Sequence, residues 1–180
     1  MNNILRILFI VLFLLSGGPG FAREVSVSMT EWQGIYQLKG DFEVAAPLNK
    51  VWEVLTDYDH IDEFVSSIER SEVKERGIHS LLLEQSAIAG AFVFKKKVDV
   101  LLKVLEQPTK EIIFVDISHH DFELYEGSWS LESVPNGVEV RYEMIAEPRT
   151  RTPRFLTRAA FLKTSRNLLK EVRTEILSRK

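Results

Sequence analysis

The chain has 180 residues, a formal net charge of −3 and no cysteine. The missing cysteines exclude disulfides, thiolate metal sites and cysteine nucleophiles, and the small net charge gives no support for nucleic-acid binding. The charge is unevenly distributed, because residues 149–180 hold ten basic and two acidic residues. A basic terminal segment therefore follows an acidic body.

The first 22 residues have the pattern of a secretory signal peptide. Arg6 supplies a positive charge, residues 7–15 are apolar, and Gly20-Phe21-Ala22 is a small-x-small cleavage site. The apolar run is shorter than the ~20 residues of a membrane span. We therefore expect cleavage after Ala22, a periplasmic or secreted protein, and one domain over residues 23–180. The alternative is an uncleaved N-terminus that anchors the chain to the inner membrane.

The next elements alternate in a way that is typical of strands. Between Tyr36 and Val44 every second residue is apolar or glycine, which predicts a half-buried first strand. Two short helices are predicted near residues 48–55 and 59–66. Turn residues then separate six further strands, at roughly 69–75, 78–87, 91–106, 111–119, 122–134 and 138–147. Because these connections are short, we expect a seven-stranded antiparallel sheet.

The last element is a predicted helix of roughly 25 residues, with Thr152 as its N-cap and Pro153 at its first position. Apolar residues recur at helical spacing along it: Phe155, Ala159, Leu162, Leu169, Val172 and Ile176. A long helix across an antiparallel sheet makes a two-layer α+β domain.

Three stretches carry a resemblance to a known family. Phe42–Phe64 reads FEVAAPLNKVWEVLTDYDHIDEF, and Gly127-Ser128-Trp129 and residues 147–155 continue the match. These stretches are similar to the START-like polyketide cyclase/dehydrase superfamily (SRPBCC), and most of all to its coenzyme Q-binding branch. The resemblance implies a helix-grip fold in the order β-α-α-β6-α, with a lipid-sized cavity between the sheet and the last helix.

The candidate ligand-binding residues follow from this resemblance together with the apolar faces of the predicted elements. They are Phe92, Phe94, Phe114, Trp129, Tyr142, Phe155 and Leu162. We expect Trp129 to support the core as well. The alternative is that all of these side chains fill an ordinary core, since periodicity does not distinguish a hollow interior from a filled one.

A few polar residues interrupt the apolar faces. Lys96 falls on the apolar side of its strand by strict alternation, and Gln85 and Asp116 are similar exceptions. A lone buried lysine is costly, so we expect a bulge that returns Lys96 to solvent; anchoring of a ligand head group is the alternative. The small-residue segment 86–91 is either a gate at the cavity mouth or an ordinary turn.

The sequence predicts no catalytic residue, no metal site and no cofactor. The acidic residues from Asp57 to Glu63 lack the glycine and glutamate of a calcium-binding loop. His119 and His120 are adjacent and would point to opposite faces of a strand. No phosphate-binding loop or dinucleotide fingerprint occurs.

Three functions remain. The first is an exported domain that binds a hydrophobic small molecule, such as a lipid or an isoprenoid quinone, without catalysis. The second is a polyketide cyclase or dehydratase acting in the same cavity, which would need a paired acid and base. The third is a protein- or membrane-surface module that uses the basic C-terminal helix for transient contact.

Overall fold

The structure is a computed structural model that describes residues 24–91 and 94–179. The predicted signal peptide, residues 1–22, lies outside the described residues. Within them, no helix is long and apolar enough to cross a membrane.

In the described residues, eight antiparallel strands form a single sheet with the spatial order β1-β2-β8-β7-β6-β5-β4-β3. Their bounds are β1 Ser26–Trp32, β2 Ile35–Val44, β3 Ile68–Arg76, β4 Ser80–Ala91, β5 Phe94–Gln107, β6 Glu111–Asp116, β7 Phe122–Val134 and β8 Gly137–Pro148. The prediction of seven strands is wrong by one.

The additional strand is β1, which pairs with β2 through a tight hairpin. Its turn, Gln33-Gly34, has positive φ at both positions, as a two-residue hairpin turn with two left-handed residues requires. Glutamine rarely occupies such a position, so the turn signal is weak in the sequence. As an edge strand β1 buries only Met29 fully, and its apolar pattern is correspondingly short.

The helices follow the predicted order with small corrections. Helix α1 spans Leu48–Leu55, and the second predicted helix is split into a 3₁₀ turn, Tyr58–His60, and a single-turn helix α2, Ile61–Phe64. The long helix α3 spans Arg154–Ser178. Pro153, and not Thr152, is its N-cap residue, and no side chain caps its first turn.

The C-terminal half of α3 packs tightly on the sheet. Leu169, Val172 and Ile176 are fully buried there. A Cβ at Gly40 would lie 2.4 Å from Leu169 Cδ1, so the missing side chain lets α3 approach β2 closely. The guanidinium of Arg173 donates to the Glu43 carbonyl at 3.0 Å. This half of the helix is fixed against a filled core.

Strand β6 is much shorter than its neighbours, and this opens the sheet. It pairs with β5 only from Leu102 to Gln107, so the first part of β5 is paired with β4 on one side and has no strand on the side of β6. Two carboxylates accept the exposed backbone N–H groups instead: Asp116 bonds to Leu101 N–H at 3.1 Å and Asp121 to Asp99 N–H at 2.9 Å. Backbone donors are rarely left unpaired, so these acidic residues stabilise the gap.

Candidate functional site

A cavity of about 300 Å³ lies between the N-terminal half of α3 and the sheet. This volume is at the small end of the range for small-molecule sites. Its sheet wall comes from β4, β5, β7 and β8, beside the gap left by β6. The main lining residues of that wall are Gln85, Ala87, Val98, Val100, Phe122, Tyr125, Tyr142 and Met144. The cavity is therefore mostly apolar on this side.

Strict alternation explains why these residues face inward. Val138, Val140, Tyr142 and Met144 are all buried on one face of β8. On β5 the same face carries Val98 and Val100, which pair with Ala87 and Gln85 of β4 without a register shift. The small side chain of Ala87 leaves room where a larger residue would close the space.

The helix wall is more polar than the sheet wall. It presents Leu156, Thr157, Ala160, Phe161, Thr164, Ser165 and Leu168. The sequence did not indicate this face, because the large apolar residues dominate the periodicity of α3, whereas hydroxyl-bearing residues occupy three of these seven positions. The sequence signal that could have identified this face is the recurrence of small residues at helical spacing. Tyr36 and Phe161, with ring centroids 5.1 Å apart, close one side.

A charged pair lies in the wall near the N-terminus of α3. Lys96 Nζ is 2.7 Å from Asp121 Oδ1, and both residues line the cavity. Burial raises the pKa of Asp121, but the hydrogen bonds from Lys96 and the Asp99 N–H outweigh it and lower this pKa to about 2. The pairing of β4 with β5 is regular through Lys96, so the predicted bulge is wrong. Lys96 still reaches solvent, since 49% of its side chain is exposed, and Asp121, which is distant in sequence, pairs with it where both residues line the cavity.

An aromatic cluster forms the part of the wall around Tyr125 and Tyr142. The Tyr125 ring stacks on Phe122 at 4.8 Å, and the Tyr142 ring lies 4.6 Å from Trp129. Both tyrosines line the cavity. Burial raises the pKa of both phenols, so both are protonated at neutral pH.

Asp116 is buried close to this cluster. Its Oδ1 accepts hydrogen bonds from the N–H of Leu101 and from the N–H and hydroxyl of Ser118. Its Oδ2 has no hydrogen-bond partner among the described residues. The negative charge of Asp116 contributes to the raised pKa of Tyr125, after burial.

The structure places the predicted ligand-binding residues in different environments. Tyr142 lines the cavity. Phe114 is buried beside it, with ring centroids 6.2 Å apart, and the Trp129 ring lies tilted against it at 4.6 Å. Neither Phe114 nor Trp129 reaches the lining, so both support Tyr142 from behind.

Two of the predicted ligand-binding residues, Phe155 and Leu162, are on α3, and neither of them lines the cavity. Phe155 is 70% exposed, and Leu162 packs against the core without lining the cavity. The inward face of this half of α3 is instead the one that carries Ala160 and Thr164. Phe92 lies outside the described residues, as does the side chain of Phe94.

One group of potential metal ligands occurs in the described part of the chain. Asp99, His120 and Asp121 each offer one ligand atom, and these atoms lie within 4.8 Å of one another. Both oxygens of Asp121 already accept hydrogen bonds, Oδ1 from Lys96 and Oδ2 from the Asp99 N–H. The ammonium group of Lys96 supplies the positive charge at this position, so the arrangement fits an ion pair better than a cation site.

Solved structures share this fold. The STAR-related lipid transfer protein from Xanthomonas axonopodis has a TM-score of 0.72 at 16% identity, covering 89% of this chain and 97% of that one. The Zhui aromatase/cyclase from Streptomyces sp. R1128 has a TM-score of 0.67 at 16% identity, covering 81% and 95%. Human STARD10 has a TM-score of 0.63 at 12% identity, covering 84% and 73%. At such identities the likeness shows the fold alone.

No curated protein sequence matches the chain. A family model described as polyketide cyclase / dehydrase and lipid transport matches residues 44–173, which is more than half of the chain. The matched region includes α1, the sheet from β3 to β8 and most of α3, and so contains both walls of the cavity. The chain therefore belongs to the polyketide cyclase / dehydrase and lipid transport family.

Proposed function

We propose that the protein binds one hydrophobic small molecule, a lipid or an isoprenoid quinone, in the cavity under α3 and does not transform it. The observation that carries the proposal is the separation of the two layers: α3 is packed at Leu169, Val172 and Ile176, yet leaves about 300 Å³ beneath its first half. The apolar sheet wall favours binding by about 25 cal/mol for each Å² of apolar surface removed from water. The resemblance to the coenzyme Q-binding branch motivates the quinone as a candidate.

The charges in the lining argue against acid–base catalysis. A general base works best when its pKa lies near the working pH, whereas Lys96 holds the pKa of Asp121 at about 2. Among the described lining residues there is no histidine. A cyclase or dehydratase would need another acid–base pair across the cavity, so binding is the better-supported function.

Uptake of a fluorescent fatty acid tests the proposal. We expect saturable binding of one probe per chain, and we expect Ala160→Phe to abolish it because the new ring occupies the space under α3. Ala159→Phe is the matched control, since Ala159 is on the same helix but outside the lining. Equal binding by the parent protein and Ala160→Phe would contradict the proposal.

A second candidate function is docking on an anionic membrane, and the surface around Phe155 favours this function. Phe155 is 70% exposed, and Arg151, Arg154 and Arg158 lie within four residues of it. Leu156, next in the chain, lines the cavity. Each basic residue near an anionic bilayer contributes about 1 kcal/mol, so this surface would bring the cavity to the lipid. Export to the periplasm, as the N-terminal segment predicts, is part of the same proposal.

Cosedimentation with vesicles tests the docking. We expect binding to vesicles rich in phosphatidylglycerol and none to pure phosphatidylcholine, with binding weakened in Phe155→Ala. Ile78→Ala, which removes another exposed apolar side chain (91% exposed), should bind like the parent. If Phe155→Ala and Ile78→Ala lose vesicle binding equally, or if binding does not depend on lipid charge, the proposed docking through Phe155 is contradicted.

A further inference from the structure

The cavity under α3 has a closed end and a charged end. At the closed end the two layers meet in a filled core that includes Leu83, Leu102 and Leu169. The lining pair Gln85–Val100 lies two positions from the pair Leu83–Leu102 on the same two strands. The charged residues of the described lining are at the opposite end of the cavity: Lys95, Lys96 and Asp121.

Ser165 is the buried polar residue of the closed end. It lies one helical turn before Leu169, is 6% exposed and lines the cavity. Its hydroxyl has no hydrogen-bond partner within residues 24–91 and 94–179. Other hydroxyls of α3 do have one: Thr174 donates to the backbone carbonyl four residues before it at 2.8 Å, and Ser178 to the carbonyl three residues before it at 2.9 Å. Ser165 therefore differs from hydroxyls that use the backbone of the preceding turn.

A buried hydroxyl without a partner is unfavourable, because it loses its hydrogen bonds to water and gains none in the protein. Buried polar groups in native proteins are nearly always hydrogen-bonded, so each exception needs an explanation. Ser165 is open to the cavity and not to the surface. A ligand that brings an oxygen atom to the closed end would supply the missing partner.

The neighbouring groups of the closed end define the chemistry of that ligand. Gln85 donates through Nε2 to Ser71 at 2.9 Å, and its Oε1 accepts no hydrogen bond from the described chain. Thr164, also in the lining, has a hydroxyl that is equally without a partner there. Glu171, two turns after Thr164, accepts from the N–H and hydroxyl of Ser66 and does not reach the lining. An ionised head group would find no opposite charge at this end, and burying it unpaired is costly.

We propose that the closed end of the cavity, formed by Ser165 with Thr164 and Gln85, recognises an uncharged hydroxyl group of an otherwise apolar ligand. A hydroxyl both donates and accepts, which matches the unused donor and acceptor capacity of Ser165. The apolar body of the ligand then lies along the Ala87 and Val98 part of the wall. This inference rests on the proposed ligand-binding function and specifies its substrate class, a neutral lipid alcohol that enters with its head group first.

Two pyrene probes that differ by one hydroxyl group test this. They are 1-pyrenebutanol and 1-butylpyrene, titrated by fluorescence against the parent protein and two variants. We expect Ser165→Ala to weaken binding of the alcohol by about 2- to 12-fold, the effect of one net hydrogen bond. Binding of butylpyrene should be unchanged in the same variant, because this probe has no group that bonds to the Ser165 hydroxyl.

Ser178→Ala is the matched control, since it is the same substitution in the same helix. The Ser178 hydroxyl is already bonded to a backbone carbonyl and lies outside the lining, so both probes should bind this variant as they bind the parent. Thermal unfolding of the ligand-free protein gives a second readout. Ser165→Ala removes a buried hydroxyl without a partner, so its Tm should rise above that of the parent, whereas Ser178→Ala should not raise it.

Three results would overturn the inference while leaving the proposed function standing. One is a Ser165→Ala variant that weakens both probes equally or weakens neither. Another is a lower Tm of ligand-free Ser165→Ala, which would mean that the hydroxyl is satisfied within the fold. The third is a parent protein that takes up the fluorescent fatty acid but not the alcohol. If the parent protein takes up neither the fatty acid nor either pyrene probe, the ligand-binding function itself fails, and the inference fails with it.

Discussion

Replacing Ala160 by phenylalanine should make the protein more stable, which is the reverse of what happens in a filled core. Ala160 faces the cavity from α3. Burying a phenylalanine side chain contributes about 1.5–3 kcal/mol. The lower helix propensity costs about 0.5 kcal/mol and ordering of the rotamer about 0.5–1 kcal/mol. The net gain in the free energy of unfolding is therefore between about 0 and 2 kcal/mol, with about 1 kcal/mol as the central value.

Val172→Phe gives the opposite sign on the same helix. Val172 is 1% exposed and packs in the filled half of the interface. Overpacking such a site typically costs about 1–3 kcal/mol. The two variants carry the same new side chain, so the comparison isolates the space available to it.

Urea denaturation of the parent and both variants measures the difference. The denaturation midpoint should rise for Ala160→Phe and fall for Val172→Phe with an unchanged slope. In thermal unfolding, each kcal/mol corresponds to about 2–4 °C for a domain of this size. If Ala160→Phe loses as much stability as Val172→Phe, the space under α3 is not hollow and the reasoning is refuted.

Three further predictions concern the wall, the ion pair and the N-terminus. Trp129→Ala should lower the free energy of unfolding by roughly 3 kcal/mol, because the partly buried ring supports Tyr142; unchanged stability with lost ligand binding would contradict this supporting role. Asp121, whose folded pKa of about 2 lies below its ordinary value of 3.8, stabilises the fold above about pH 4 and loses this contribution as the pH falls through 2. Asp121→Asn should therefore be about 1–2 kcal/mol less stable at pH 7, a value reduced for the exposure of Lys96, and should differ little from the parent at pH 2; a constant difference across this range would refute the assignment. N-terminal sequencing of the exported protein should begin near Arg23, and recovery of the intact N-terminus in membranes would show an anchor instead.

Local pattern was sufficient to predict most of the sheet. Alternation identified β8 and its buried face, because a half-buried strand must place every second residue inward. The first short helix, predicted near residues 48–55, is α1, Leu48–Leu55. The hairpin between β1 and β2 was missed because Gln33 adopts a left-handed conformation that its residue type does not suggest.

The cavity itself depends on relations that no local pattern contains. The length of β6 relative to β5 decides where the sheet opens. Lys96 is paired with Asp121, 25 positions along the chain. On α3, Thr157 and Thr164 face the cavity. From the sequence, residues with hydroxyl groups would ordinarily be assigned to the solvent-exposed face of a helix. Phe155 is the opposite case. Its position in the helical repeat is that of a core residue, but it lies beyond the part of the sheet that would cover it, and its side chain is exposed.

Native mass spectrometry of the gently purified protein tests whether the cavity under α3 holds a hydrophobic molecule. We expect a population one hydrophobic molecule heavier than the chain, with that molecule recovered by solvent extraction, present in Ala159→Phe and absent from Ala160→Phe. A parent protein that retains nothing and takes up no added lipid or quinone would contradict the claim. Retention of the same molecule by Ala160→Phe would contradict it equally.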